Sequence, residues 1–142
     1  DGGNDEMYGG RGDDTLNGGT GIDYVVGDAG ADFLSGGEGD DLVRGGGDDD
    51  VIDERSDPSG KNRLYGEAGN DYLDGGNAND LLVGGNQSDL LRGGNGNDRI
   101  NGGNGRDTAW LGNGNDIYND TGQVGRLGGD RVFAGNRSQH SS

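Results

Sequence analysis

Acidic residues at a constant spacing of nine are the groups in this chain whose type and position could do chemistry. Each precedes a hydrophobic residue by two positions, and an asparagine takes the acidic place once. The candidate metal ligands are Asp5, Asp14, Asp23, Asp32, Asp41, Asp50, Asn62, Asp71, Asp80, Asp89, Asp98, Asp107 and Asp116. Ca²⁺ takes about 6–8 oxygen ligands and accepts backbone carbonyls among them, so rows of carboxylates favour Ca²⁺. We therefore predict that the chain binds multiple calcium ions, and that Mg²⁺ substitutes poorly because it demands a smaller octahedron.

Glycines open most of the nine-residue units and supply the second part of each candidate site. Glycine tolerates positive φ and lets backbones approach closely, so the glycine-rich half of a unit predicts a tight turn. Such a turn exposes carbonyl oxygens to a cation. The glycines that we assign to metal binding are Gly9, Gly18, Gly27, Gly36, Gly66, Gly75, Gly84, Gly93 and Gly102.

Short strands must position these turns. The last three residues of a unit, such as 33–35, alternate outward, inward and outward as a strand does. Two units then make one coil of 18 residues, with odd units in one sheet, even units in the other, and the acidic residues along two edges. The inward residues would form a thin core: Met7, Leu16, Val25, Leu34, Val43, Ile52, Leu64, Leu73, Leu82, Leu91, Ile100, Ala109 and Tyr118.

The register is interrupted twice. Three extra residues stand at 54–56, and five more at 120–124 precede a fourteenth unit at 125–133. We expect one repeat domain over residues 1–134 and a flexible tail over 135–142. The segment 54–56 is either a plain surface bulge or a hinge or partner-binding loop.

The units follow the pattern G-G-x-G-x-D-x-U-x, in which U is a hydrophobic residue. Residues 93–101, GGNGNDRIN, match it throughout, and thirteen units keep the register over residues 3–119. This pattern resembles the RTX (repeat-in-toxin) hemolysin-type calcium-binding nonapeptide repeat. The resemblance implies an all-β, right-handed parallel β-roll, a β-solenoid with two short-stranded parallel sheets. It also implies that one Ca²⁺ is shared between turns i and i+2 of a secreted bacterial protein.

Some units depart from the pattern. Asn62 offers an amide oxygen without a charge, so sites that include it are expected to bind more weakly. The fourth-position glycine is replaced by Asp48, Ala78 or Gln87 in three units. If that position needs positive φ, Ala78 and Gln87 carry backbone strain.

Composition excludes several classes of function. With 36 glycines, 26% hydrophobic residues and a net charge of -16, the chain cannot bury enough apolar surface to fold unless a cation neutralises the carboxylates. The acidic balance argues against nucleic acid and anionic membranes, and no apolar run is long enough to span a membrane. The chain has no cysteine and one histidine, His140, so we expect neither a transition-metal site nor an enzyme. Because the first residue is Asp1, we expect a processed chain or a fragment.

Two functions remain open. By resemblance, the chain is a module that is exported unfolded through a type I exporter and folds on extracellular Ca²⁺. The alternative is a self-assembling extracellular structural protein, a surface-layer or filament subunit. It is suggested by apolar outward positions, which either reflect strand propensity alone or pack on a neighbouring domain or another copy. Those positions are Tyr8, Tyr24, Val26, Leu42, Tyr65, Leu81 and Val83 in the odd units, and Phe33, Val51, Tyr72, Leu90 and Trp110 in the even units.

Overall fold

The protein is built from short parallel strands. A computed structural model describes residues 2–119 and 129–135, and in these residues it contains β-strands and no α-helix. The strands are β1 (Glu6–Arg11), β2 (Thr15–Thr20), β3 (Tyr24–Ala29), β4 (Phe33–Glu38), β5 (Leu42–Gly47), β6 (Val51–Asp53), β7 (Arg63–Ala68), β8 (Tyr72–Asp74), β9 (Leu81–Asn86), β10 (Leu90–Arg92), β11 (Arg99–Asn104), β12 (Thr108–Trp110), β13 (Ile117–Asn119) and β14 (Arg131–Phe133).

The strands divide into two seven-stranded sheets. The odd sheet has the order β1-β3-β5-β7-β9-β11-β13, and the even sheet has the order β14-β12-β10-β8-β6-β4-β2. Neighbours pair in parallel, so that Leu16 lies beside Leu34 and Ile100 beside Leu82. The predicted β-solenoid with 18-residue coils is therefore confirmed.

One inward residue from each coil of each sheet forms the core. Ten of the predicted inward residues are fully buried and pack in a single cluster: Val25, Leu34, Val43, Ile52, Leu64, Leu73, Leu82, Leu91, Ile100 and Ala109. Leu16 and Tyr118 are half-buried against this cluster because each lies near an end of the roll. The core is thus one side chain wide, which limits how much apolar burial can stabilise the fold.

Several strands are longer than the three residues that the sequence predicts. β2 and β4, for example, continue through their glycine pairs, where Gly19 lies beside Gly37. A Cβ atom on Gly37 would meet the carbonyl oxygen of Gly19 at less than 3.0 Å. The missing side chains allow the backbones to stack this closely, so the ladder extends into the segment that we predicted as turn.

The positions that depart from the repeat carry the predicted backbone conformation. Asp48, Ala78 and Gln87 have φ values of 75°, 83° and 71°. The left-handed region is unfavourable for residues with a Cβ, so the expected strain is present. The structure adds Asp28 and Glu67, with φ values of 77° and 80°, which the sequence analysis did not single out.

The interruptions differ from each other. In the first, Arg55 and Ser56 are exposed, as a surface bulge requires, but Glu54 is fully buried, so that prediction is wrong for Glu54. After the second, β14 pairs with β12 and places Val132 beside Ala109, which confirms the strand of the fourteenth unit. The inserted residues 120–124 and the predicted tail beyond residue 135 lie outside the described residues.

The predicted outward positions differ in exposure. Tyr8, Phe33, Leu90 and Trp110 are exposed, whereas most of the other predicted outward residues are half-buried. Val26 is buried, because it lies between Tyr8 and Arg44 in the odd sheet. Within the described residues, no helix could cross a membrane.

Candidate metal centres

The candidate ligands form two straight rows along the edges of the roll. In each row the backbone N–H of one residue donates to the side-chain Oδ1 of its counterpart in the next coil, over 2.7–3.0 Å. The first edge contains Asp5, Asp23, Asp41, Asn62, Asp80, Asp98 and Asp116. The second edge contains Asp14, Asp32, Asp50, Asp71, Asp89, Asp107 and Asp130. All the predicted acidic positions are thereby brought together.

In nine of these carboxylates the second oxygen receives no hydrogen bond within the described chain. The oxygens that are buried and receive no hydrogen bond within the described chain are Oδ2 of Asp14, Asp23, Asp32, Asp41, Asp50, Asp71, Asp80, Asp89 and Asp98. Most of these side chains are almost fully buried; Asp50, for example, is 1% exposed. Burying a carboxylate oxygen without a hydrogen bond costs folding free energy. Each of these oxygens therefore indicates a place for a cation or a proton.

Each of these oxygens points at the glycine that opens its own unit. A Cβ atom on Gly84 would meet both Oδ2 of Asp89 and the carbonyl oxygen of Gly102 at less than 3.0 Å. The same pair of oxygens, one carboxylate and one carbonyl from the next coil, surrounds Gly9, Gly18, Gly27, Gly45, Gly66, Gly75, Gly84 and Gly93. At each opening glycine, which we call a cradle, a carboxylate oxygen and a carbonyl oxygen therefore converge.

Burial changes the acidity of these groups. Desolvation raises the pKa of Asp50 to about 7, of Asp71 and Asp98 to about 6, and of Asp80 and Asp89 to about 8. The hydrogen bond that each carboxylate accepts from the backbone of the previous coil lowers its pKa. Neighbouring carboxylates, such as Asp71 beside Asp50 and Asp98 beside Asp80, raise the pKa further. The rows therefore disfavour negative charge unless a cation accompanies it.

The donor set fits a hard cation. Carboxylate and carbonyl oxygens are the ligands that Ca²⁺ prefers, and the cradles contain neither His nor Cys. Among the described residues, no group of three or more His, Cys, Asp or Glu side chains is placed to hold a metal by itself. The cradles supply oxygen ligands of both kinds by combining a carboxylate with a backbone carbonyl.

Comparison with known proteins agrees with this geometry. The profile of the RTX calcium-binding nonapeptide repeat (4 copies) matches residues 1–25, 17–52, 59–91 and 83–118. The chain belongs to this RTX repeat family. No curated protein and no solved structure gives a significant match. In the RTX roll described here, the gap between the second and third matches contains the first interruption.

The RTX register also locates residues that the sequence analysis missed. Gly45 forms a cradle with Asp50, and the nine-residue spacing from Gly36 could have identified it. Asp130 extends the second edge by accepting from the backbone N–H of Asp107. Glu54 and Asp57 are buried at the first edge although neither fits the repeat pattern. At Gly102 the hydroxyl of Tyr118 takes the place of the carbonyl, so this end of the second edge differs from the other cradles.

The raised pKa values predict that acid promotes folding of the metal-free RTX roll. A carboxyl group whose pKa is higher in the folded state contributes stability below its unfolded pKa of about 4, and this is lost as pH rises through about 6–8. Metal-stripped protein should therefore show more β-structure by circular dichroism at about pH 5.5 than at pH 8. Sedimentation at the same pH controls for aggregation. Equal, coil-like spectra at both values would contradict the prediction.

Proposed function

We propose that this chain is a calcium-binding module of a secreted protein, and that it folds when Ca²⁺ occupies both edges of the roll. The observation that carries the proposal is the repeated pairing of an unpartnered, buried carboxylate oxygen with a carbonyl oxygen at an opening glycine. This pairing recurs along both edges. Packing alone does not satisfy these oxygens, so ion binding and folding are coupled.

The ligands follow from the cradles. In the cradle at Gly84, Asp89 provides a carboxylate from one coil and Gly102 a carbonyl from the next. The backbone N–H of Asp71 donates to Oδ1 of Asp89 and orients the carboxylate, and the absent side chain of Gly84 lets Asp89 Oδ2 and the Gly102 carbonyl oxygen converge. Bound Ca²⁺ supplies the positive charge that these stacked carboxylates lack. We extend this role to the acidic residues and opening glycines predicted from the sequence, and add Gly45 and Asp130.

Export before folding is the finer part of the proposal. It is supported by membership of the RTX family and by the composition, which keeps a metal-free chain poorly collapsed. Low intracellular Ca²⁺ leaves such a chain unfolded during passage through a type I exporter. Millimolar extracellular Ca²⁺ matches the range of roughly 10⁻⁴–10⁻³ M in which extracellular calcium modules bind.

The test is a count of bound ions by native mass spectrometry, together with calorimetric titration. The cradles predict roughly eight Ca²⁺ per chain, bound with sub-millimolar to millimolar affinity. Mg²⁺ at equal concentration is the control and should bind weakly, since it retains its water ligands. One or two ions per chain, or equal binding of Mg²⁺, would reject the proposal.

A structural role is the alternative that a specific observation favours. Trp110 and Phe133 stack with ring centroids 5.7 Å apart and remain 38% and 48% exposed. They lie on β12 and β14, and β14 is the last strand of its sheet, with an open edge in the described part of the chain. If the protein is a filament or surface-layer subunit, Ca²⁺-loaded samples will sediment as larger species with increasing concentration. A monomer at all concentrations supports the isolated module.

A further inference from the structure

The first interruption places two acids where the repeat has opening glycines. Glu54 follows Gly36 by 18 residues, so it occupies the glycine place in the earlier register. Asp57 precedes Asn62 by five residues and occupies the same place in the later register. Both side chains are buried, with 0% and 1% exposure. In this coil of the first edge, Asn62 therefore removes one negative charge, while Glu54 and Asp57 add two.

The backbone of the preceding coil holds the Glu54 carboxylate. Oε1 accepts from the N–H of Gly36, and Oε2 accepts from Gly37 N–H at 3.2 Å and Ser35 Oγ at 3.3 Å. These contacts direct the carboxylate into the turn that opens at Gly36. The long side chain of Glu54 thus brings a buried carboxylate to the backbone of the turn that contains Gly36.

Asp41 meets Glu54 in this turn. Its Oδ2 is buried, receives no hydrogen bond within the described chain, and lies less than 3.0 Å from a Cβ placed on Gly36. At Gly18 the corresponding space is also bounded by a glycine carbonyl, whereas at Gly36 the three nearest atoms all belong to Asp41. At Gly36 the Glu54 carboxylate is the group of the next coil that accepts from the glycine N–H.

Asp57 acts on this pair through Asn62. The Nδ2 of Asn62 donates to Asp57 Oδ2 at 3.3 Å, and the Oδ1 of Asn62 accepts from Asp41 N–H at 3.0 Å. The backbone N–H of Asp57 also donates to the carbonyl of Glu54 at 3.0 Å. Asp57 thereby orients Asn62 beside Asp41 and adds a third negative charge.

Among the described residues, Asp41, Glu54 and Asp57 form no ion pair with a lysine or an arginine. The carboxylate of Asp57 raises the pKa of Asp41, and the carboxylate of Asp41 raises the pKa of Glu54. Burying three carboxyl groups, one of them with an oxygen that receives no hydrogen bond, costs free energy. A divalent cation bound there would offset that cost.

We propose that Asp41 and Glu54 form a calcium site of a second kind at the interruption, with two carboxylate ligands in place of one carboxylate and one glycine carbonyl, and with Asp57 as a positioning residue. The inference rests on the proposed function, because it requires that the edges bind Ca²⁺. A higher ligand charge raises affinity, so this site fills first. It reverses the expectation that Asn62 marks a weak point in the row.

Anomalous diffraction from crystals of the wild-type chain grown in Ca²⁺ tests the site without mutation. The expected result is a calcium peak in contact with Asp41 Oδ2 and a Glu54 carboxylate oxygen. Calcium at the repeat cradles with none at this position overturns the inference and leaves the proposed function intact. Absence of calcium from all cradles rejects both.

Glu54→Gln provides the matched test in solution, because glutamine can still accept a hydrogen bond from Gly36 N–H. The variant should bind one ion fewer by native mass spectrometry. The tightest step of the Ca²⁺ titration should weaken on the order of tenfold. Glu38→Gln removes an exposed carboxylate at the end of β4 and should leave both quantities unchanged. Asp57→Asn should weaken that step while the ion count stays the same. An unchanged first step in Glu54→Gln contradicts the inference.

Discussion

Removal of Ca²⁺ at neutral pH is expected to convert this protein from a β-roll to an unfolded chain. The core is one side chain wide, while the net charge is -16 and the buried edges carry unpartnered carboxylate oxygens. Without cations, the free-energy cost of repulsion and desolvation among these carboxylates outweighs the stabilisation from burying the inward hydrophobic residues. Far-UV circular dichroism should change from coil to β during a Ca²⁺ titration, with a midpoint of roughly 10⁻⁴–10⁻³ M.

The transition should be steep. Each repeat unit contacts mainly its neighbours, and each cradle joins two successive coils of one edge. Occupation of one cradle therefore orders the coil that carries the next, as in other solenoids with nearest-neighbour coupling. Mg²⁺ at the same concentrations serves as the control and should leave the coil spectrum unchanged. A chain that is already β-rich in excess chelator at neutral pH would refute the coupling.

The substitution Gly45→Ala is expected to disable one cradle, whereas Gly47→Ala in the same turn should have little effect. A Cβ on Gly45 would meet Asp50 Oδ2 and the carbonyl of Gly66 at less than 3.0 Å. At Gly47 the nearest atom is the carbonyl oxygen of Asp28 at 3.8 Å, an ordinary contact. Neither glycine has positive φ, so the two variants differ in space and not in backbone preference.

The cost of Gly45→Ala has two parts. Overpacking a dense region costs about 1–3 kcal/mol. The methyl group would also push Asp50 Oδ2 and the Gly66 carbonyl oxygen apart, so we expect one ion fewer and a higher Ca²⁺ concentration needed to fold. Native mass spectrometry and thermal unfolding in saturating Ca²⁺ measure the two parts separately. Equal ion counts and equal melting temperatures in the two variants would show that the cradle is not an ion site.

The repeat itself determines the fold and most of the candidate site. A hydrophobic residue at every ninth position predicts the inward row, and the spacing of the aspartates predicts their alternation between two edges. The coil of two units follows because a strand must return to its own sheet after 18 residues. Leu34, Asp32 and Gly27 therefore lie where the sequence places them, as core residue, edge carboxylate and cradle.

The residues that break the pattern could be understood only from the tertiary structure. Glu54 looks like a surface residue in the sequence, because a charged side chain in an insertion is normally solvated. It is buried because Gly36, Gly37 and Ser35 in the preceding coil donate to its carboxylate, and those contacts span 17–19 residues. The extension of strands into the glycine pairs and the burial of Val26 likewise depend on neighbouring coils. A periodic sequence thus specifies its regular part locally, while each irregularity is decided by the coil that stacks against it.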